Sequence, residues 1–121
     1  MQTNSNGATI VAKLSTLTLT GASGKEYDFD VYRADANWAE DIACVYYVSK
    51  RTVDSNGKGS HSVIYIGETE NLKDRHADHH KQKCFEEHGY NCISIHHESN
   101  AKARLQIESD LVEALHPPCN D

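Results

Sequence analysis

Two apolar, β-branched runs on either side of a glycine-bearing loop constrain this chain most. Ile42-Ala-Cys-Val-Tyr-Tyr-Val48 and Ser62-Val-Ile-Tyr-Ile-Gly67 are of strand length and rich in the valine, isoleucine and tyrosine that suit a pleated, buried surface. Asp54-Ser-Asn-Gly-Lys-Gly-Ser60 between them supplies polar, turn-forming residues. The arrangement predicts an antiparallel hairpin. Upstream, Leu14-Ser-Thr-Leu-Thr-Leu-Thr20 and Tyr27-Asp-Phe-Asp-Val-Tyr32 alternate apolar and polar residues around Gly21-Ala-Ser-Gly24, the period-two pattern of another hairpin. Residues 1–9 are polar and expected to fray, and Asn37 to Asp41 reads as a short connection around Trp38.

Downstream, Glu70 to about His88 is helix-compatible, with Gly89 where a helix C-cap prefers glycine. Tyr90 to Ile95 alternates as a third central strand. Ser99 is placed to cap a helix from Asn100 to Leu115, stopped by Pro117-Pro118. The order predicts an α/β (α+β) fold: a small central antiparallel sheet of about three strands flanked by helices, with an added N-terminal β-hairpin. Residues 1–41 read as a hairpin extension packed on the core, and 42–121 as the main domain.

A chain of 121 residues, 38% hydrophobic and 25% charged, has the composition of a folded domain and enough material for one core. No apolar run approaches the ~18 residues that span a bilayer, so no membrane association is expected. The opening residues lack a basic flank and an apolar stretch, which makes a cytoplasmic location the expectation. Twelve Lys and Arg against eighteen Asp and Glu give a net charge of −6. Such a surface repels phosphate backbones on average, which excludes a bulk nucleic-acid coater and requires any basic patch to be local. All eight histidines lie between His61 and His116, which makes the charge sensitive to pH near 6.

Of the four cysteines, Cys44, Cys84, Cys92 and Cys119, none form a Cys-x-x-Cys pair. Their number would allow disulfides, but without a secretory signal free thiols are the better reading. A zinc site from Cys84, His88 and Cys92 would have unusual spacing.

Three sets of residues carry candidate chemistry. Glu108 falls within the apolar row Ala101, Leu105, Val112 and Leu115 of the last helix, with Ile107 and Leu111 beside it, where a carboxylate is costly unless paired or bound to a cation. The simpler reading is an i,i+4 bridge to Arg104. Arg75 and His79, one helical turn apart, aim a phosphate-binding fork and a titratable imidazole at one spot, although a solvated basic face with Asp78 and Lys81 has the same pattern. Tyr46 and Tyr65 lie on the two strands of the central hairpin, where aromatic residues usually pack. Gly67 lets the backbone pass close to a ligand.

Taken together, Val45-Tyr46, Tyr65-Ile66-Gly67, Asn71-Leu72, Arg75, His79, Glu108 and Asn120 make the chain similar to the GIY-YIG endonucleases. The tyrosines are nineteen positions apart, Tyr65 and Arg75 ten, and Arg75 and His79 four. A glutamate followed by Pro-Pro-Cys-Asn near the end completes the family's order. The resemblance covers residues 42–121. It departs at Cys44-Val45-Tyr46, where the family's name has Gly-Ile-Tyr.

The resemblance implies a metal-dependent phosphodiesterase acting on DNA, with Mg²⁺ or Mn²⁺ held by Glu108 and the phosphate gripped by Arg75. Gly67 and Asn71 would lie along the substrate. Tyr46 is implied as the general base, with Tyr65 orienting water or phosphate, and His79 competes as the base better matched to neutral pH. Asn120 would hold the site by hydrogen bonds. No element resembles a DNA-reading helix, so cleavage is expected to follow DNA structure, such as branches or nicks, or to be weakly sequence-specific. A homodimer or a targeting partner protein would supply further selectivity. The competing readings are a catalytically silent nucleic-acid or protein-binding module that retains the fold, and a protein stabilised by a transition metal through its histidines and cysteines.

Overall fold

The computed structural model describes residues 13–77 and 79–120. The fraying expected for residues 1–9 and the contribution of Asp78 lie outside them. Five strands, β1 (Ser15–Thr20), β2 (Glu26–Arg33), β3 (Cys44–Val53), β4 (Gly59–Thr69) and β5 (Cys92–His97), form one antiparallel sheet in the order β1-β2-β5-β3-β4. Three helices, α1 (Leu72–Ala77), α2 (Gln82–Glu87) and α3 (Ala101–Leu115), accompany it.

This corrects the expected three-stranded sheet flanked by helices. Among the described residues strand outweighs helix, and the sheet curls as a half-barrel. The first hairpin belongs to the sheet because β2 pairs with β5, with Val31 opposite Ser94 and Tyr32 opposite Ile93. Its turn is tied to α3 by Asp110, which accepts from the Ser23 backbone N–H at 2.8 Å, the Ser23 hydroxyl at 2.7 Å and the Tyr27 hydroxyl at 2.7 Å.

Alternation along β3 builds two cores. Cys44, Tyr46 and Val48 join Leu72 and Phe85 from the short helices, whereas Val45 and Tyr47 join Phe29, Ile66, Ile107 and Leu111. The single helix expected from Glu70 to His88 is two, α1 and α2, because residues 79–81 between them are not helical. The last helix begins one residue later than expected, with the Asn100 side chain, not Ser99, accepting from Ala103 N–H at 2.9 Å. Its buried face is Arg104, Ile107 and Leu111, and Leu105 is 54% exposed, so the apolar row assigned from sequence is rotated. No helix among the described residues is long and apolar enough to cross a membrane.

The cysteines also differ from expectation. Cys84 and Cys119 are disulfide-bonded, while Cys44 and Cys92 are free and buried. The pairing was hidden because 35 residues separate the partners and only the return of the chain after α3 brings them together.

Candidate functional site

The candidate site begins at one cross-strand pair. Tyr46 on β3 stands opposite Gly67 on β4. A β-carbon on Gly67 would lie 2.5 Å from the Tyr46 hydroxyl oxygen and 2.7 Å from Cε2 of Tyr65. The bare backbone therefore makes room for two tyrosines of the same chain, not the open approach for a ligand that the sequence suggested. The ring centroids of Tyr46 and Tyr65 are 5.9 Å apart. A bulge helps: Val48 pairs with Tyr65 but Ser49 pairs with Val63, leaving Ile64 as the extra residue. Ile64 and Tyr65, though consecutive, both enter the core that holds Tyr46.

His79 lies beyond the end of α1, so it does not share a helical face with Arg75 as the i,i+4 spacing implied. It is only 7% exposed, with its ring 5.8 Å from that of Tyr46, 5.2 Å from Tyr65 and 4.7 Å from Phe85. His80 stacks on it at 4.9 Å. Its Nε2 is 2.6 Å from the Tyr46 hydroxyl, and its Nδ1 accepts from Lys81 N–H at 3.0 Å. Because Nδ1 is an acceptor, the neutral ring carries its proton on Nε2 and donates it to Tyr46. Burial first, then the positive charges of His80 and Arg75, lower the imidazole to about 4. His79 is thus a neutral donor to Tyr46 at pH 7.

Burial raises Tyr46 far above the ordinary tyrosine range, and Tyr65 adds to that rise; Arg75 opposes both by its charge and a hydrogen bond. Tyr65 is also raised by burial, but the hydrogen bond from Tyr46 favours its ionised form. Both hydroxyls lie above the ordinary tyrosine range, so burial holds Tyr46 and Tyr65 protonated at neutral pH.

Glu108 on α3 is half-buried. Its carboxyl is raised first by burial and then by the Glu68 carboxylate, against the opposing Glu68 backbone N–H and the charge of Arg75. Arg104, 4% exposed, gives Nε to Glu68 at 2.9 Å and Nη1 to the Glu98 and Ser99 carbonyls, each at 3.0 Å. The simple Arg104–Glu108 bridge is therefore replaced by a longer-range pair with Glu68. Glu68 and Arg104 were missed as site residues; an arginine within an apolar helix face was the available signal. A groove lined in part by Glu68, Glu70, Asp74, Arg75 and Arg104 opens here.

Two asparagines act on the backbone. Asn120 accepts from Ile66 N–H at 2.8 Å and donates to the Ile66 carbonyl at 2.7 Å, while Cys119 N–H donates to the Ile64 carbonyl at 3.0 Å. The tail thus partners the outer side of edge strand β4, beside Tyr65 and Gly67. Asn71 lies at the start of α1, its Nδ2 3.3 Å from Asp74 and its carbonyl accepting from Arg75 N–H, so its contacts organise the helix. Cys44, where the resemblance departs, fits without exposure, and burial pushes its thiol up to about 12.

Glu108 is the residue that could hold a divalent cation here. A carboxylate whose charge is disfavoured by burial and a neighbouring Glu68 gains from a cation, and magnesium needs only one or two protein carboxylates. No family model, curated protein or solved structure matches the chain.

Proposed function

We propose that the chain is a metal-dependent endonuclease that hydrolyses DNA phosphodiester bonds, directed by DNA structure or weakly by sequence, as its resemblance to the GIY-YIG family implies. The supporting observation is the convergence of Tyr46, Tyr65, Arg75 and His79 from separate segments, with Glu108 electrostatically coupled to Tyr65 and Arg75.

In this reading Arg75 binds the phosphate and neutralises charge as the bond breaks. Glu108 would hold Mg²⁺ or Mn²⁺, which when bound supplies a Lewis acid and a lowered pKa for water. His79 and Arg75 fix the Tyr46 hydroxyl, which with Tyr65 orients the attacking water and the phosphate by hydrogen bonds. Asn120 is a positioning residue that acts through Ile66.

The net charge of −6 favours the other reading, a silent nucleic-acid or protein-binding module. Cleavage of plasmid and branched DNA with Mg²⁺ or Mn²⁺, wild type beside Glu108→Ala, separates the two. Metal-dependent cutting lost in the variant supports the nuclease. DNA binding without cutting by either protein supports the module, and cutting that survives in the variant removes Glu108 from the reaction.

A further inference from the structure

We propose that Cys84, His88 and Cys119, when the two cysteines are reduced, form a binding site for one zinc-class ion. The site is independent of the nuclease reading and of the cation assigned to Glu108.

The geometry is that of a ligand set as well as a disulfide. Cys84 and His88 lie one helical turn apart at the end of α2, and Cys119 reaches them from the tail. The Nδ1 of His88 is 3.9 Å from Cys84 Sγ and 3.8 Å from Cys119 Sγ. All three ligand atoms fall within 4.8 Å of one another. A tetrahedral ion with Zn–S of ~2.3 Å and Zn–N of ~2.0 Å has ligand-to-ligand edges of about 3.5–3.8 Å, so the imidazole already stands near its place. The sulfurs must part to about that distance, and the 6.0 Å between their Cα atoms permits this by side-chain rotation. A disulfide by itself has no use for an imidazole equally spaced from both sulfurs. Two thiolates and one imidazole select a borderline-soft ion over magnesium.

His88 is exposed, which leaves the fourth coordination position facing water. Its Nδ1 now lies 2.9 Å from the Cys84 carbonyl and would exchange that contact for the ion, its ring proton passing to Nε2. Loading requires reduction: an external dithiol breaks the Cys84–Cys119 bond, delivers two electrons and two protons, and is itself oxidised to a disulfide. The ion then displaces the two thiol protons into solvent. Oxidation reverses the sequence, re-forming the S–S bond and expelling the ion.

Either form of the cross-link ties the same two elements together. Phe85, next to Cys84, packs 5.3 Å from Tyr65 and 4.7 Å from His79, while Asn120, next to Cys119, clamps Ile66. The ion would therefore retain in a reducing setting the link that the disulfide makes in an oxidising one.

Cobalt(II) titrated into the full chain, reduced with a phosphine and freed of metal, tests this. Expected are one equivalent bound per chain, visible bands of tetrahedral geometry and a thiolate-to-cobalt charge-transfer band. Zinc should displace the cobalt, and peroxide should release the bound ion as the disulfide forms. Cys119→Ser should lose the charge-transfer intensity of one thiolate. His88→Ala, an exposed change that leaves the core intact, should weaken binding at least tenfold, whereas Glu108→Ala should leave it unchanged. Failure of the reduced chain to bind cobalt, binding unaltered by His88→Ala, or a reduced chain that stays unfolded with zinc present would each overturn the proposal.

Discussion

The ring of Tyr46 lies across the backbone of Gly67, its hydroxyl oxygen 2.5 Å from where a β-carbon would stand. Gly67→Ala therefore forces Tyr46 and Tyr65 apart. The expected cost is about 1–3 kcal/mol, as for other overpacked cores, with loss of any DNA cleavage. Gly59→Ala meets only the end of the flexible Arg51 side chain, at 3.1 Å, and should change stability by less than ~0.5 kcal/mol. Denaturant midpoints of both variants check this; equal midpoints would contradict the close approach.

Glu108 makes the opposite kind of prediction. Its folded-state pKa lies above that of the unfolded chain, so the folded protein binds the proton more tightly and stability falls as pH rises through that window. Glu108→Gln should thus raise the metal-free unfolding temperature at pH 7. The gain should shrink towards pH 4, and cleavage should be abolished. A destabilised variant at pH 7 would argue against a strained carboxylate.

His79 supplies an acid-side dependence. Its pKa of about 4 in the folded chain lies below the ordinary histidine value of ~6.5, so the unfolded state binds more protons between them. Stability attributable to His79 is present above pH ~6.5 and is lost as pH falls through about 4, by on the order of 3 kcal/mol in total at ~1.36 kcal/mol per pKa unit. His61 and His76, also lowered by burial, act in the same direction. Unfolding measured from pH 4 to 7 should therefore show a flatter profile for His79→Gln than for wild type. Parallel profiles would reject the buried neutral imidazole.

Asn120→Ala removes both hydrogen bonds to Ile66 and leaves the outer side of β4 without that partner. A loss of about 1–3 kcal/mol is expected. Faster amide exchange at Ile66, with little change in β1 and β2, is the matching local signature. Unchanged exchange at Ile66 would mean that the clamp is not maintained in solution.

Much of the local structure was legible because it depends on near neighbours. The alternation in residues 14–20 and 27–32, and the apolar runs around Tyr46 and Tyr65, identify strands through side chains that face one way or the other. Tyr46, Tyr65, Arg75 and His79 were singled out by type and spacing, and they come together. Their protonation was not legible, because it depends on burial and on donors such as Lys81 N–H and Arg75.

What the amino-acid order determined by itself is therefore the set of strands, their turns and the residue types available to a site. The tertiary structure decided that the first hairpin joins the sheet through β5, that α3 turns Leu105 outward and Arg104 inward, and that Cys84 meets Cys119. Each of these outcomes depends on contacts between distant segments, whose pairing is selected by the burial of whole faces, and periodicity within a short window carries no record of which distant face will cover it.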